Sequence, residues 1–187
     1  MNIKIENKFQ SMEYINNLHL NIFPEKYFEK YDKNQIIEFM DIYPAEFYAV
    51  RIKNKSMSSK HKLAVSHNDV LNYCKNLSHF TLNVSSFCYR NNQILTGEIK
   101  IDDAMEIEYI LSNFPGYSVR DSYINPDYMG KSDIYDKKLL KINGISNIID
   151  YILQHDLTNI IVEFTVFNCL LGIYNENVII WELRTNY

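Results

Sequence analysis

Glycine is scarce in this chain, with five in 187 residues, and none of them builds a glycine-rich phosphate loop of the P-loop or Rossmann kind. No nucleophile elbow is present either. Cysteine is rarer still. Cys74, Cys88 and Cys169 are odd in number and scattered, which excludes a paired-cysteine zinc site and predicts a reducing, cytoplasmic location. No stretch reaches the roughly 18 apolar residues of a membrane helix, and no apolar run follows the start, so neither a membrane partner nor a leader is expected. Excess positive charge is lacking as well: a net charge of −4 disfavours nucleic acid as a partner. Arginine is confined to Arg51, Arg90, Arg120 and Arg184, against fifteen lysines.

What is there is apolar and aromatic. Hydrophobic residues make up 47% of the chain and charged residues 22%, a balance that buries a core and predicts one globular domain over residues 1–187. Phe9, Met12, Ile15 and Leu18 recur at helical spacing. Pro24 suits the first turn of a second helix through Tyr27, Phe28 and Tyr31. Asp32 with Gln35 makes a capping box for a third, with Ile36, Ile37, Phe39, Met40 and Tyr43 on its apolar side. Glu46–Lys53 reads as a strand, Leu63–Val65 as another, and Ser66 with Asp69 as a second capping box. Phe80–Tyr89 and Gln93–Ile101 flank Arg90-Asn91-Asn92 like the arms of a hairpin, and Met105–Leu111 follows as a strand. Residues 118–138 lack periodicity and are expected to be irregular. Ile145–His155 is a helix capped at Ser146. The expected fold class is therefore α+β, with N-terminal helices packed on a mostly antiparallel sheet.

The C-terminus carries the chemical interest. Ile160–Phe167 and Val178–Thr185 are dense in β-branched and aromatic residues, and a third short strand, Leu170–Tyr174, is expected between them. Strict alternation puts Val178, Ile180, Glu182 and Arg184 on one face, with Ile179, Trp181 and Leu183 on the other. Glutamates and an arginine inside such apolar strands need partners, because an unpaired buried charge is expensive. A second feature is the basic run 53–62. It follows Arg51, whose fork of donors suits a carboxylate or phosphate in partly buried surroundings. Glu106 and Glu108 are expected to face solvent.

IVEFT at 161–165 and VIIWELRT at 178–185 resemble the closing strands of the nucleotide-binding half of pyruvate phosphate dikinase and phosphoenolpyruvate synthase, which are ATP-grasp proteins. YAVRIKNKS around Arg51 is similar to the strand whose arginine touches nucleotide phosphates in that family. The chain departs from the pattern at Glu182, where the family has glutamine, and at Ile52, where it has serine. The resemblance implies a reduced ATP-grasp-like fold with ATP and Mg2+ as cofactors. Glu163 and Glu182 would hold the metal, Arg51, Lys53 and Lys60 the phosphates, and Arg184 a phosphate or an acceptor carboxylate. The expected ligand is thus an anionic small molecule, nucleotide or otherwise phosphorylated. The competing expectation is a non-catalytic α+β module that binds a protein partner, its strand charges forming a structural ion-pair cluster.

Overall fold

The computed structural model describes residues 4–5, 8–52, 61–113, 126–168 and 177–185. Their elements run α1 (Lys8–Asn17), β1 (Glu25–Lys30), α2 (Lys33–Ile42), β2 (Phe47–Ile52), β3 (His61–Ser66), α3 (Val70–Cys74), β4 (Ser78–Val84), β5 (Gln93–Ile101), β6 (Glu106–Ser112), β7 (Tyr128–Asp133), α4 (Ile145–Gln154), β8 (Ile160–Phe167) and β9 (Val178–Thr185). The class is α+β, as the periodicities predict. The strands divide between two antiparallel sheets, ordered β1-β4-β2-β3 and β7-β6-β5-β8-β9. Each sheet belongs to its own compact unit, one spanning Phe23–Arg90 and the other the residues up to Ile22 with those from Asn91 onward.

In the four-stranded unit, Tyr48, Val50, Phe80, Leu82 and Val84 fill one face of the sheet, and Ile36, Phe39 and Met40 of α2 are buried with them. Helix α2 starts where its box predicts: Asp32 Oδ1 accepts from the Asn34 and Gln35 backbone N–H groups, and Gln35 Nε2 donates back to Asp32. The segment after Pro24 is not the expected helix. It is β1, with Phe28 paired opposite Phe80 of β4 and the two rings stacked 5.0 Å apart. A long-range partner overrides a weak local helical preference. At Ser66 the hydroxyl bonds the Asp69 carboxylate and not a backbone N–H, so the expected box opens a 3-10 turn before α3.

The expected hairpin around Arg90-Asn91-Asn92 does not form either. A 3-10 turn over Ser86–Asn92 carries the chain from β4 of one sheet to β5 of the other. In the five-stranded unit β5 pairs instead with β6 and β8. Ile99, Ile101, Val162, Phe164, Val166, Ile180 and Leu183 make the core face, covered by Ile15 of α1 and by Ile145, Ile148, Ile149 and Ile152 of α4. Tyr151 of the same helix is buried with them, whereas Leu153 lies off that face. Helix α4 begins at Gly144, with φ +86°, and no side chain caps it; Ser146 sits within the first turn. Part of the stretch expected to be irregular is ordered strand: β7 pairs along β6 from Tyr128 to Asp133. Strand β8 pairs directly with β9. The third strand expected at Leu170–Tyr174 falls outside the described residues, as do residues 53–60 of the basic run 53–62, whose last two members, His61 and Lys62, begin β3. Among the described residues no helix is long and apolar enough to cross a membrane.

Candidate functional site

The second face of the five-stranded sheet is where the charged strand residues gather. Glu98 on β5 lies directly opposite Glu163 on β8, and Glu163 directly opposite Glu182 on β9, so three carboxylates form a row across neighbouring strands. Strand spacing of about 4.8 Å makes such a row of like charges unfavourable unless a cation accompanies it. Arg184 supplies one. Its Nη2 forms an ion pair with Glu98 Oε1, and its Nε lies 4.0 Å from Glu182 Oε1, sealed from solvent and without a hydrogen-bond partner. Glu182 is only 8% exposed, unusual for a glutamate on a sheet face.

The face that Glu182 and Arg184 occupy is not the one that simple alternation predicts. Phe164 pairs with Ile180 but Glu163 with Glu182, leaving Trp181 as an extra residue on β9. This bulge reverses the alternation. Val178 and Ile180 point to the core before it and Leu183 after it, so Glu182 and Arg184 turn to the opposite face. Without the bulge both charges would enter the hydrophobic core.

Beside the carboxylate row runs a buried chain of hydroxyls. The Trp181 indole N–H donates to Thr165 Oγ1 at 2.8 Å, and Thr165 and Thr96 Oγ1 lie 2.9 Å apart. Thr96 gives its proton to the Phe164 carbonyl at 3.0 Å, so the shared proton between the two threonines comes from Thr165. The chain locks the indole onto the same face as Glu182. The next row toward the other edge alternates Lys131, Glu108 and Lys100 over β7, β6 and β5. Lys131 and Glu108 are ion-paired at the surface, which holds the Glu108 carboxyl below its usual range and raises Lys131. Glu106 and Glu108 face solvent as expected.

The structure thus brings together three of the residues singled out from sequence, Glu163, Glu182 and Arg184, and adds Glu98, Thr96, Thr165 and Trp181. The signal for Glu98 was present: in Gly97-Glu98-Ile99-Lys100-Ile101 the polar residues alternate with buried ones. The hydroxyl chain had no local signal, since its members are far apart in sequence. Arg51 belongs to the four-stranded unit, half-buried on β2 opposite His61 and Thr81. On the same face Asn83 keeps a buried side-chain oxygen with no hydrogen-bond partner, an arrangement that costs stability. Lys53 and Lys60 lie outside the described residues.

Among the described residues no group of three or more His, Cys, Asp or Glu side chains is set to enclose a metal ion. Magnesium does not ask for such a cage: it is commonly held by one or two carboxylates together with substrate phosphates and water. Glu163 and Glu182, opposite each other on adjacent strands, fit that requirement in donor type and number.

No protein-family model and no curated protein matches the chain. Solved structures do. The ADP complex of an N5-carboxyaminoimidazole ribonucleotide synthetase aligns with a TM-score of 0.52 at 10% identity, covering 96% of this chain and 44% of that one. A macrocyclase from Microcystis aeruginosa, bound to its precursor peptide, aligns at 0.45 and 12% over 95% of this chain and 51% of its own. D-alanine–D-alanine ligase from Helicobacter pylori aligns at 0.42 and 10%, over 95% and 53%. The chain therefore spans about half the length of these proteins, and only the first similarity is strong enough to carry weight. That similarity concerns the fold, not the narrower likeness to pyruvate phosphate dikinase: this chain has an ATP-grasp-like fold.

Proposed function

We propose that the protein binds a nucleotide or related phosphorylated anion together with magnesium. The observation that carries this reading is the row Glu98–Glu163–Glu182 with Arg184 on a partly buried sheet face of an ATP-grasp-like fold. Glu163 and Glu182 hold the metal, which when bound neutralises phosphate charge. Arg184 takes a phosphate or an acceptor carboxylate through its fork of donors. In the four-stranded unit, Arg51 binds phosphate, with Lys53 and Lys60 of the basic run assigned the same role. The protein is assigned to the cytoplasm, in keeping with free thiols at Cys74 and Cys88.

A second reading has its own observation. The Arg184–Glu98 ion pair is what a purely structural charge cluster would contain, as in a module that binds only a protein partner. One variant separates the two. Thermal denaturation of the wild type with magnesium–ATP at a hundred times its dissociation constant should gain about 2.7 kcal/mol of stability. Arg184→Met should abolish that gain and, because it leaves Glu98, Glu163 and Glu182 without their cation, should also lower the midpoint measured without nucleotide. A fall in midpoint in Arg184→Met together with no nucleotide shift in the wild type would favour the structural cluster. Glu163→Gln should remove the magnesium dependence of the shift.

A further inference from the structure

A strand at the rim of a sheet leaves half of its backbone N–H and C=O groups without a strand partner, and proteins blunt such rims with charge, bulges or covering segments. Three of the four rim strands among the described residues are blunted in this way. Strand β1 carries Glu25, Lys26, Glu29 and Lys30 in six positions. Strand β3 is bulged between its pairings with Tyr48 and Val50. On β9 the Ile180 and Leu183 N–H groups are taken by the Asn21 carbonyl and by Ser11 Oγ. Strand β7 has none of these devices. It runs in unbroken register along β6 from Tyr128 to Asp133, and its one cation, Lys131, is neutralised by Glu108. Ile134 donates its N–H to the Met105 carbonyl beside β6 at 3.2 Å. Alternation along the strand therefore turns the N–H and C=O groups of Met129 and Lys131, and the N–H of Asp133, away from the sheet.

The side chains at this rim are complementary to themselves. Met129 is 68% exposed and Tyr135 74%, more than any other large apolar side chain among the described residues. Asp133 stands directly opposite Glu106, like charges side by side, while Lys131, two positions back on the same face, is engaged by Glu108. We propose that the partner for this rim is a second copy of the chain: two β7 strands pair antiparallel about a two-fold axis at Ser132, joining the five-stranded sheets edge to edge. In that register Lys131 of each copy lies opposite Asp133 of the other, and their backbone groups bond reciprocally. An ammonium group has three protons, so Lys131 serves the new carboxylate without leaving its own Glu108. Met129 of each copy comes against the turn that carries Tyr135 of the other. An axis at Lys131 would instead oppose two ammonium groups, and one at Gly130 would bring Asp133 to Asp127. The added strands extend the sheet in its own plane, so the face carrying Glu98, Glu163 and Glu182 stays open, and the dimer does not depend on the nucleotide reading.

Sedimentation equilibrium of the full chain, from micromolar to millimolar concentration, tests the assignment. The weight-average mass should climb with concentration from 22.2 kDa toward twice that value, as expected of a weak dimer with a small contact. Asp133→Lys sets ammonium against ammonium across the axis, and Lys131→Asp sets carboxylate against carboxylate. Each should weaken the dimer about tenfold or more while circular dichroism shows it folded. Mixed in equal amounts, the two variants place opposite charges at both positions and should recover the association of the wild type. Damage to the fold would not give that recovery. A wild type that stays monomeric at every concentration, and so leaves the rim to an unrelated strand, would overturn the proposal. So would a dimer that either variant leaves intact, or variants that remain apart when mixed.

Discussion

Arg184 answers two carboxylates at once, and its position shows how a single side chain can be both scaffold and site. Glu98 draws its terminal nitrogen, while its Nε faces Glu182 at a distance too long for a hydrogen bond. A guanidinium so arranged has donor capacity left for a carboxylate or phosphate. Cys74 is the opposite case, a reactive group made inert by its surroundings. Fully enclosed beside Val70, its thiol is pushed up to about 12 by burial alone. The sign follows from which state ionises first. The folded thiol stays neutral while the unfolded one ionises near its ordinary value of 9.0, so the contribution to stability is complete below that pH and is lost as pH rises toward about 12. Alkylation of the native protein at mildly alkaline pH should spare Cys74 and reach it only on denaturation. Mass mapping of modified cysteines checks this, and rapid native labelling would contradict it.

At the scale of elements, β5 decides the geometry of the site, because it carries Thr96, Glu98 and Lys100 on one face and pairs with both β6 and β8. Gly97 lies between them, where β5 and β6 approach so closely that a Cβ would stand 2.2 Å from the Ile110 carbonyl oxygen and 2.9 Å from Leu111 Cα. Backbone cannot yield as a flexible side chain would. Gly97→Ala is expected to cost about 1–3 kcal/mol or more and to push β6 away at Ile110, read as a fall in denaturant midpoint at unchanged slope. A substitution without effect would mean that β5 and β6 part easily. The bulge at Trp181 is the companion device on β9. It re-aims Glu182 and Arg184, and the Thr165 hydrogen bond keeps the indole over the same face.

For the whole molecule, two sheets with separate interiors raise the question of cooperativity. The only tryptophan, Trp181, lies in the five-stranded unit, so its fluorescence follows that unit alone, whereas far-ultraviolet circular dichroism follows both. One cooperative domain over 187 residues should show coincident denaturation midpoints by the two probes. Displaced midpoints would divide the chain into two independently stable domains. Magnesium–ATP should raise the tryptophan midpoint under the proposed function, since Trp181 sits in the unit that carries Glu163 and Glu182.

Features confined to one turn or one strand were legible in the amino-acid sequence itself. The Asp32–Gln35 box, the apolar stripe of α4 and the strands around Glu163 and Glu182 all rest on interactions or spacings within a few residues. The α+β class followed from them. What only the tertiary structure decided depends on pairing between distant segments. Phe80 draws the segment after Pro24 into a strand, and β4 and β5 part into different sheets in place of a hairpin. A bulge belongs to a pair of strands and leaves no mark on either alone, so the faces of Glu182 and Arg184 could not be read from alternation. Glu98 joins Glu163 and Glu182 only because β5 and β8 meet in that register, although Glu98 and Glu163 stand 65 positions apart in the sequence. The residue types of the site were visible in the chain; their convergence was set by strand register, which long-range burial of the opposite face selects.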